Sequence, residues 1–137
     1  MTSSLNIKNA KKKAELQQTI LLVDQKPNTA ALMSTYLRAD GFSVDYTPDP
    51  SEALKFASQM KYKVIITDLV MNGMTGLDLF REIRSHDVEV RFMFLLALSN
   101  EAIRLLGSFD RDDVIKKEPL SINEVIYKVR MAFMNNR

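Results

Sequence analysis

Short apolar segments alternate along this chain with longer segments that have the period of an amphipathic helix. Five predicted strands set this rhythm: Thr19–Val23, Phe42–Tyr46, which alternates, Val64–Ile66 leading to Asp68, Val90–Leu98 and the short Val114–Lys117. Short apolar runs bounded by turn residues are typical of strands buried on both faces. Because parallel neighbours need long crossovers, the intervening helices favour a parallel sheet. The pattern therefore predicts an α/β fold, with a five-stranded parallel sheet and helices on both faces.

The helices are indicated by their start and stop signals. Pro27 suits the first turn of the first helix, which we expect Gly41 to end. Ser51 has the position of an N-cap for the second helix. The remaining helices are predicted from apolar residues at helical spacing: Leu77, Phe80 and Ile83 in the third, a short fourth over Asn100–Leu106, and Ile122, Val125, Ile126, Val129 and Phe133 in the last, from Ser121 on.

Two aspartates stand where predicted strands end. In the flavodoxin-like strand order 2-1-3-4-5, ligands gather where the order reverses, between the carboxyl ends of the first and third strands. Asp24 ends the first strand and Asp68 ends the third. Adjacent carboxylates repel each other or recruit a hard cation such as magnesium, which can align a phosphoryl group on a carboxylate nucleophile. Lys116 or Lys117 would add a positive charge, although Asp24 alone is equally well explained as a helix cap.

Composition and charge narrow the class of protein. The 137 residues suit one domain and contain no cysteine, which rules out disulfides and thiolate metal sites. No apolar run is long enough for a membrane span or a secretory signal, so we expect a cytoplasmic protein. The chain carries a net charge of +2, of which residues 1–18 contribute +3 (four lysines and one glutamate). We therefore predict a basic extension over residues 1–18 and one nearly neutral domain over residues 19–137, which makes nucleic-acid binding by the body unexpected.

The segment from Ile65 to Arg84 carries the most specific motif. It has an apolar strand, then Asp68, two further residues and Met71, a short glycine-containing turn, Gly76 and an amphipathic helix. With the strand before Asp24 and a KKEP segment near the end, this resembles the receiver domain of two-component response regulators, over about residues 19–134.

The resemblance implies a role for each residue of the acidic pocket. Asp68 would be the phosphoacceptor, and Lys117 would bind the phosphoryl oxygens. Asp68, the backbone carbonyl of Val70 and Asp24, the last mostly through metal-bound water, would hold magnesium.

Three positions depart from the family pattern around that pocket. The family usually has a second acid after the first strand, but here Gln25 follows Asp24, which makes Gln25 a weak metal ligand and predicts weak magnesium binding. The hydroxyl residue that ends the family's fourth strand is Leu96 here. The family's aromatic switch position falls on Val114, so its usual coupled movement with that hydroxyl residue is not expected.

The lysine itself stands in an unusual context. The family's Lys-Pro pair is interrupted here as Lys117-Glu118-Pro119. An ungapped count would put Glu118 in the place of the lysine, where a carboxylate would repel phosphate. We prefer Glu118 as an insertion, because residues 112–115 then align with the family's acidic pair and fifth strand.

These observations predict a function and one main alternative. We expect a stand-alone receiver, not an enzyme, that accepts a phosphoryl group on Asp68 from a histidine kinase or phosphotransfer protein and acts through protein contacts. No output domain is expected after the last helix, and a homodimer would use the last two helices and the fifth strand. The alternative is a degenerate receiver that binds partners without phosphate chemistry. Flavin binding and aspartate-based phosphatase activity fit badly, because the segment 25–28 lacks a phosphate-cradling loop and Val70 stands where a second aspartate would be needed.

Overall fold

The computed structural model describes residues 19–97, 102, 104, 105, 107 and 113–134. The described elements follow one another as β1 (Thr19–Val23), α1 (Pro27–Ala39), β2 (Ser43–Thr47), α2 (Pro50–Gln59), β3 (Val64–Asp68), α3 (Gly76–Arg84), β4 (Arg91–Leu96), β5 (Val114–Lys116) and α4 (Ile122–Met134).

All five strands are parallel and lie in the order β2-β1-β3-β4-β5, which confirms the predicted topology. β1 and β3 are neighbours, with Val23 opposite Thr67, so the residues that follow these two positions emerge side by side. The sheet therefore places Asp24 and Asp68 at the same edge.

The core has two layers, one on each face of the sheet. Leu21 and Ile65 pack against α2 and α3, whereas Ile20 and Ile66 pack against α1 and α4. Consecutive residues of a strand point to opposite faces. This explains why every residue of β1 and β3 is buried and why most of them are apolar, whereas a strand with one solvated face would alternate.

Some predicted boundaries differ from the structure. Ser51 was expected to be the N-cap of the second helix, but Asp49 has that position, and its carboxylate accepts a hydrogen bond from the Ser51 backbone N–H at 2.9 Å. Pro50 explains the difference, because it takes the first helical position, where its missing N–H costs nothing. The second strand begins at Ser43 instead of Phe42.

Some predictions fall wholly or partly on residues that the structure does not describe. Of the helix predicted over Asn100–Leu106, only 102, 104 and 105 are described, and they are helical. The basic extension over residues 1–18 and position 112 of the acidic pair lie outside the described residues. In the part of the chain that the structure describes, no helix has the length and apolar character needed to cross a membrane.

Candidate functional site

The carboxyl ends of the strands bring three charged side chains together. Lys117 follows β5 and reaches back across the end of β4, where its backbone N–H donates to Leu96 at 2.9 Å. Its ammonium nitrogen lies 2.5 Å from Asp24 Oδ1 and 2.7 Å from Asp68 Oδ1. The three side chains are almost wholly buried, with 4% of Lys117, 0% of Asp24 and 7% of Asp68 exposed. The structure therefore brings together the two aspartates and the lysine singled out in the sequence, in the register that treats Glu118 as an insertion.

Asp24 serves two purposes in this arrangement. Besides contacting Lys117, its carboxylate accepts hydrogen bonds from the Lys26 backbone N–H at 2.9 Å and the Thr29 hydroxyl at 2.5 Å. These contacts fix the start of α1. Asp24 is therefore a pocket acid that also holds the turn before α1, but it is not the helix cap, because Lys26 has the N-cap position.

Asp68 has fewer hydrogen-bond donors than Asp24. Its Oδ2 accepts from the Gln25 backbone N–H at 2.9 Å, while its Oδ1 contacts Lys117. Burial raises the pKa of Asp68 to about 6, and the charge of Asp24 adds to this effect, although the hydrogen bonds from Lys117 and from Gln25 oppose it. Asp68 is therefore largely ionised at neutral pH and becomes protonated in mild acid.

The residues expected to hold magnesium fit a hard cation in kind. Asp24 and Asp68 supply carboxylate oxygens, and Val70 follows two positions later in an exposed part of the loop. Gln25 is different, because its side-chain oxygen already accepts a hydrogen bond from the Asn72 backbone N–H at 3.0 Å. Among the described residues, no cluster of three or more acidic, histidine or cysteine side chains could hold a metal ion. The two carboxylates are the only charged oxygen donors named for the site, and weak magnesium binding stays a prediction.

Gly76 lies close against the backbone of Asp68. Its N–H donates to the Leu69 carbonyl at 2.8 Å, closing the loop between β3 and α3. A Cβ atom on Gly76 would lie 2.4 Å from the Asp68 carbonyl oxygen, well inside contact distance. Thr75 and Asp78 form a capping box that fixes the start of α3 at this point.

The positions where the family pattern has a hydroxyl and an aromatic residue are part of the core. Leu96 is 9% exposed and belongs to the same apolar cluster as Phe94 and Ala102, and Val114 packs against that cluster. Neither side chain has a polar atom that could contact a phosphoryl oxygen.

An ion pair that was not predicted from the sequence lies next to the buried cluster. Lys26 Nζ lies 2.8 Å from Glu118 Oε1, and both side chains are more than half exposed. The two residues follow the pocket residues Gln25 and Lys117 in the sequence. Their positions next to pocket residues could have identified Lys26 and Glu118 as candidates. Their pairing could not be predicted, because it depends on how two loops that are distant in sequence meet.

Comparison with known proteins gives consistent matches. A family model described as "Response regulator receiver domain" matches residues 20–130. The probable transcriptional regulatory protein TcrX of Mycobacterium tuberculosis is 30% identical over 112 residues, which are 82% of this chain and 48% of that protein. The DNA-binding response regulator MtrA of Mycolicibacterium smegmatis is 29% identical over 88% of this chain and 53% of its own length. The chain thus spans about half the length of the curated relatives it matches.

Solved structures show the same fold. The receiver domain of the Francisella response regulator 1452 matches with a TM-score of 0.74 and 28% identity, over 88% of this chain and all of that one. The chemotaxis protein CheY4 of Vibrio cholerae matches with a TM-score of 0.71 and 23% identity, over 85% of this chain and 98% of that one.

Proposed function

This chain belongs to the family of response regulator receiver domains of two-component systems, and from that membership we propose that Asp68 accepts a phosphoryl group. The observation that carries the proposal is the contact of the buried Asp68 carboxylate with the Lys117 ammonium group. The donor is proposed to be a histidine kinase or phosphotransfer protein in the cytoplasm, and the response to be carried by protein contacts. Stand-alone action and dimerisation through the last two helices and the fifth strand stay predictions.

The chemistry asks little of the protein beyond position and charge. An oxygen of the Asp68 carboxylate attacks the phosphorus atom, a new P–O bond forms, and the bond to the donor's leaving group breaks with its electron pair. Lys117 neutralises the negative charge gathered around Asp68, and the Gln25 N–H orients the second carboxylate oxygen. Magnesium, when bound by Asp24, Asp68 and the Val70 carbonyl, would supply further positive charge.

A second candidate function rests on the absence of the family's read-out residues. Leu96 and Val114 are part of the apolar core. Neither side chain has a hydroxyl group, so neither can form the hydrogen bond to a phosphoryl group that the family pattern provides. This favours a receiver fold that binds partners without phosphate chemistry. The two functions differ in one measurable property, which is uptake of phosphate by Asp68.

Replacing Asp68 with asparagine is expected to abolish that uptake, because an amide cannot form the acyl phosphate. The protein is incubated with magnesium and acetyl phosphate, and intact mass is followed for the addition of one phosphoryl group. Asp45→Asn is the matched control, because Asn can still accept the hydrogen bond that the Tyr62 hydroxyl makes to Asp45. Labelling that survives Asp68→Asn would reject Asp68 as the phosphoacceptor, and no labelling of the wild type would favour the phosphate-independent function.

The rate of labelling should increase with pH around a midpoint no higher than about 6, because the nucleophile is the ionised form of Asp68 and a bound cation lowers the pKa of a carboxyl group. One unit below the midpoint, the rate is expected to be about tenfold lower than at the plateau. Initial rates are measured by intact mass from mildly acidic to mildly alkaline buffer. The pH midpoint of the labelling rate should be the same with acetyl phosphate and with phosphoramidate if it reports the ionisation of Asp68 and not that of the phosphate donor. A rate that does not vary with pH would contradict the assignment.

A further inference from the structure

The Lys26–Glu118 pair lies directly outside the buried cluster of Asp24, Asp68 and Lys117. The backbone N–H of Lys26 contacts the same Asp24 oxygen that Lys117 contacts, at 2.9 Å. Glu118 is joined by a peptide bond to Lys117. The pocket therefore has an inner tier of two anions and one cation and an outer tier of one cation and one anion.

Electrostatic effects support this proximity. The pKa of Lys26 is raised, mainly by its hydrogen bond to Glu118 and also by the charges of Asp68 and Asp24. The pKa of Glu118 is lowered, mainly by Lys26 and also by Lys117. Each member of the outer pair thus feels the charges of the inner tier.

The outer pair is easily broken. The side chains of Lys26 and Glu118 are 60% and 58% exposed, and an exposed ion pair contributes only a small stabilisation. A phosphoryl group on Asp68 would bring up to about two negative charges to the pocket. That group would attract Lys26, whose long stem is flexible, and would repel Glu118.

We propose that Lys26 and Glu118 form an exchangeable latch at the mouth of the pocket. Glu118 holds Lys26 outside while Asp68 is unmodified and disfavours entry of an anion. When Asp68 carries a phosphoryl group, Lys26 leaves Glu118 and becomes a second cation that contacts the phosphoryl oxygens. Glu118, which interrupts the Lys-Pro pair of the family pattern, thus tunes how readily the site is phosphorylated. The latch rests on the proposed function of Asp68.

The test is a titration with beryllofluoride, a phosphoryl analogue, in the presence of magnesium, with bound fluorine detected by ¹⁹F NMR. Lys26→Met is expected to weaken binding about tenfold, and Glu118→Gln to tighten it about threefold to tenfold, as changes of one nearby solvated charge imply. In the double variant, the gain from Glu118→Gln should shrink, because no Lys26 is left to be released.

Lys61→Met and Glu89→Gln are matched controls. Both residues are exposed and precede β3 and β4, at the opposite end of the sheet, so the same charge changes should have little effect there. If binding depends on Asp68 but Lys26→Met and Glu118→Gln behave like these controls, the latch is wrong and the proposed function stands. If the wild type binds nothing, gain of binding in Glu118→Gln would support the latch, and its absence would overturn both.

Discussion

Replacing Lys117 with methionine is expected to lower the free energy of unfolding by about 3 to 5 kcal/mol at neutral pH. Lys117 is the cation that contacts both Asp24 and Asp68, and all three side chains are buried. Methionine keeps the length and apolar stem of the side chain but leaves two carboxylates in a place where water cannot solvate them. Removing one partner of a buried charge cluster costs far more than the cluster's net contribution to stability.

The pH dependence of stability shows whether Lys117→Met is destabilised by uncompensated buried charge or by loss of packing. Without Lys117, the pKa of Asp68 in the folded state should rise further above its value in the unfolded chain, because the hydrogen bond that lowers it is lost. A carboxyl group with a raised pKa takes up its proton first in the folded state, so acid stabilises that state until the unfolded chain is protonated too. The free energy of unfolding of Lys117→Met should therefore approach that of the wild type as the pH falls from about 7 to about 4.

Urea unfolding followed by circular dichroism measures this effect. Lys116→Met is the matched control, because Lys116 is the exposed residue before Lys117, at the end of β5, and its replacement should change stability by less than about 0.5 kcal/mol. Equal stability of the two variants, or a loss for Lys117→Met that does not depend on pH, would contradict a buried charge cluster held together by Lys117.

The fold could be predicted because each level of the sequence points to the same answer. The runs Ile20–Val23 and Val64–Ile66 are apolar without alternation, which is typical of a strand covered on both faces. Strand order then follows from the family pattern and places Asp24 beside Asp68. Predicted boundaries were less accurate, as at Ser51, because Asp49 and Ser51 are both good N-caps and local chemistry alone does not choose between them.

The pocket could be predicted only in part, because its contacts join distant segments. The motif singled out Asp68, but its raised pKa depends on burial, and no local pattern reports how much water reaches it. The oxygen of Gln25 was considered for a metal, whereas it accepts from the Asn72 backbone, 47 residues away. The Lys26–Glu118 pair spans 92 residues and was not foreseen. The sequence identifies which groups are available, and the tertiary structure decides which of them meet.

Replacing Gly76 with alanine is expected to destabilise the domain by about 3 kcal/mol and to slow phosphoryl uptake by Asp68 about tenfold to a hundredfold. The added Cβ atom would stand 2.4 Å from the Asp68 carbonyl oxygen and 3.1 Å from the Leu69 Cα atom, so backbone must move to make room. A flexible side chain could swing away, but here the neighbours are the end of β3 and the start of its loop. Alanine is the better helix former by up to about 1 kcal/mol, which opposes the loss without cancelling it.

Gly107→Ala is the control that distinguishes the steric clash expected at Gly76 from the general effect of replacing glycine with alanine. At Gly107 the nearest atom to an added Cβ would be the Arg104 carbonyl oxygen at 3.6 Å, an ordinary contact, so Gly107→Ala should be neutral or slightly stabilising. Urea unfolding and the initial rate of labelling by acetyl phosphate are measured for both variants. Because Gly76 contacts the backbone of Asp68 directly, its replacement should lower stability and labelling together. Loss of stability with an unchanged labelling rate would show that the position of Asp68 does not depend on this close approach.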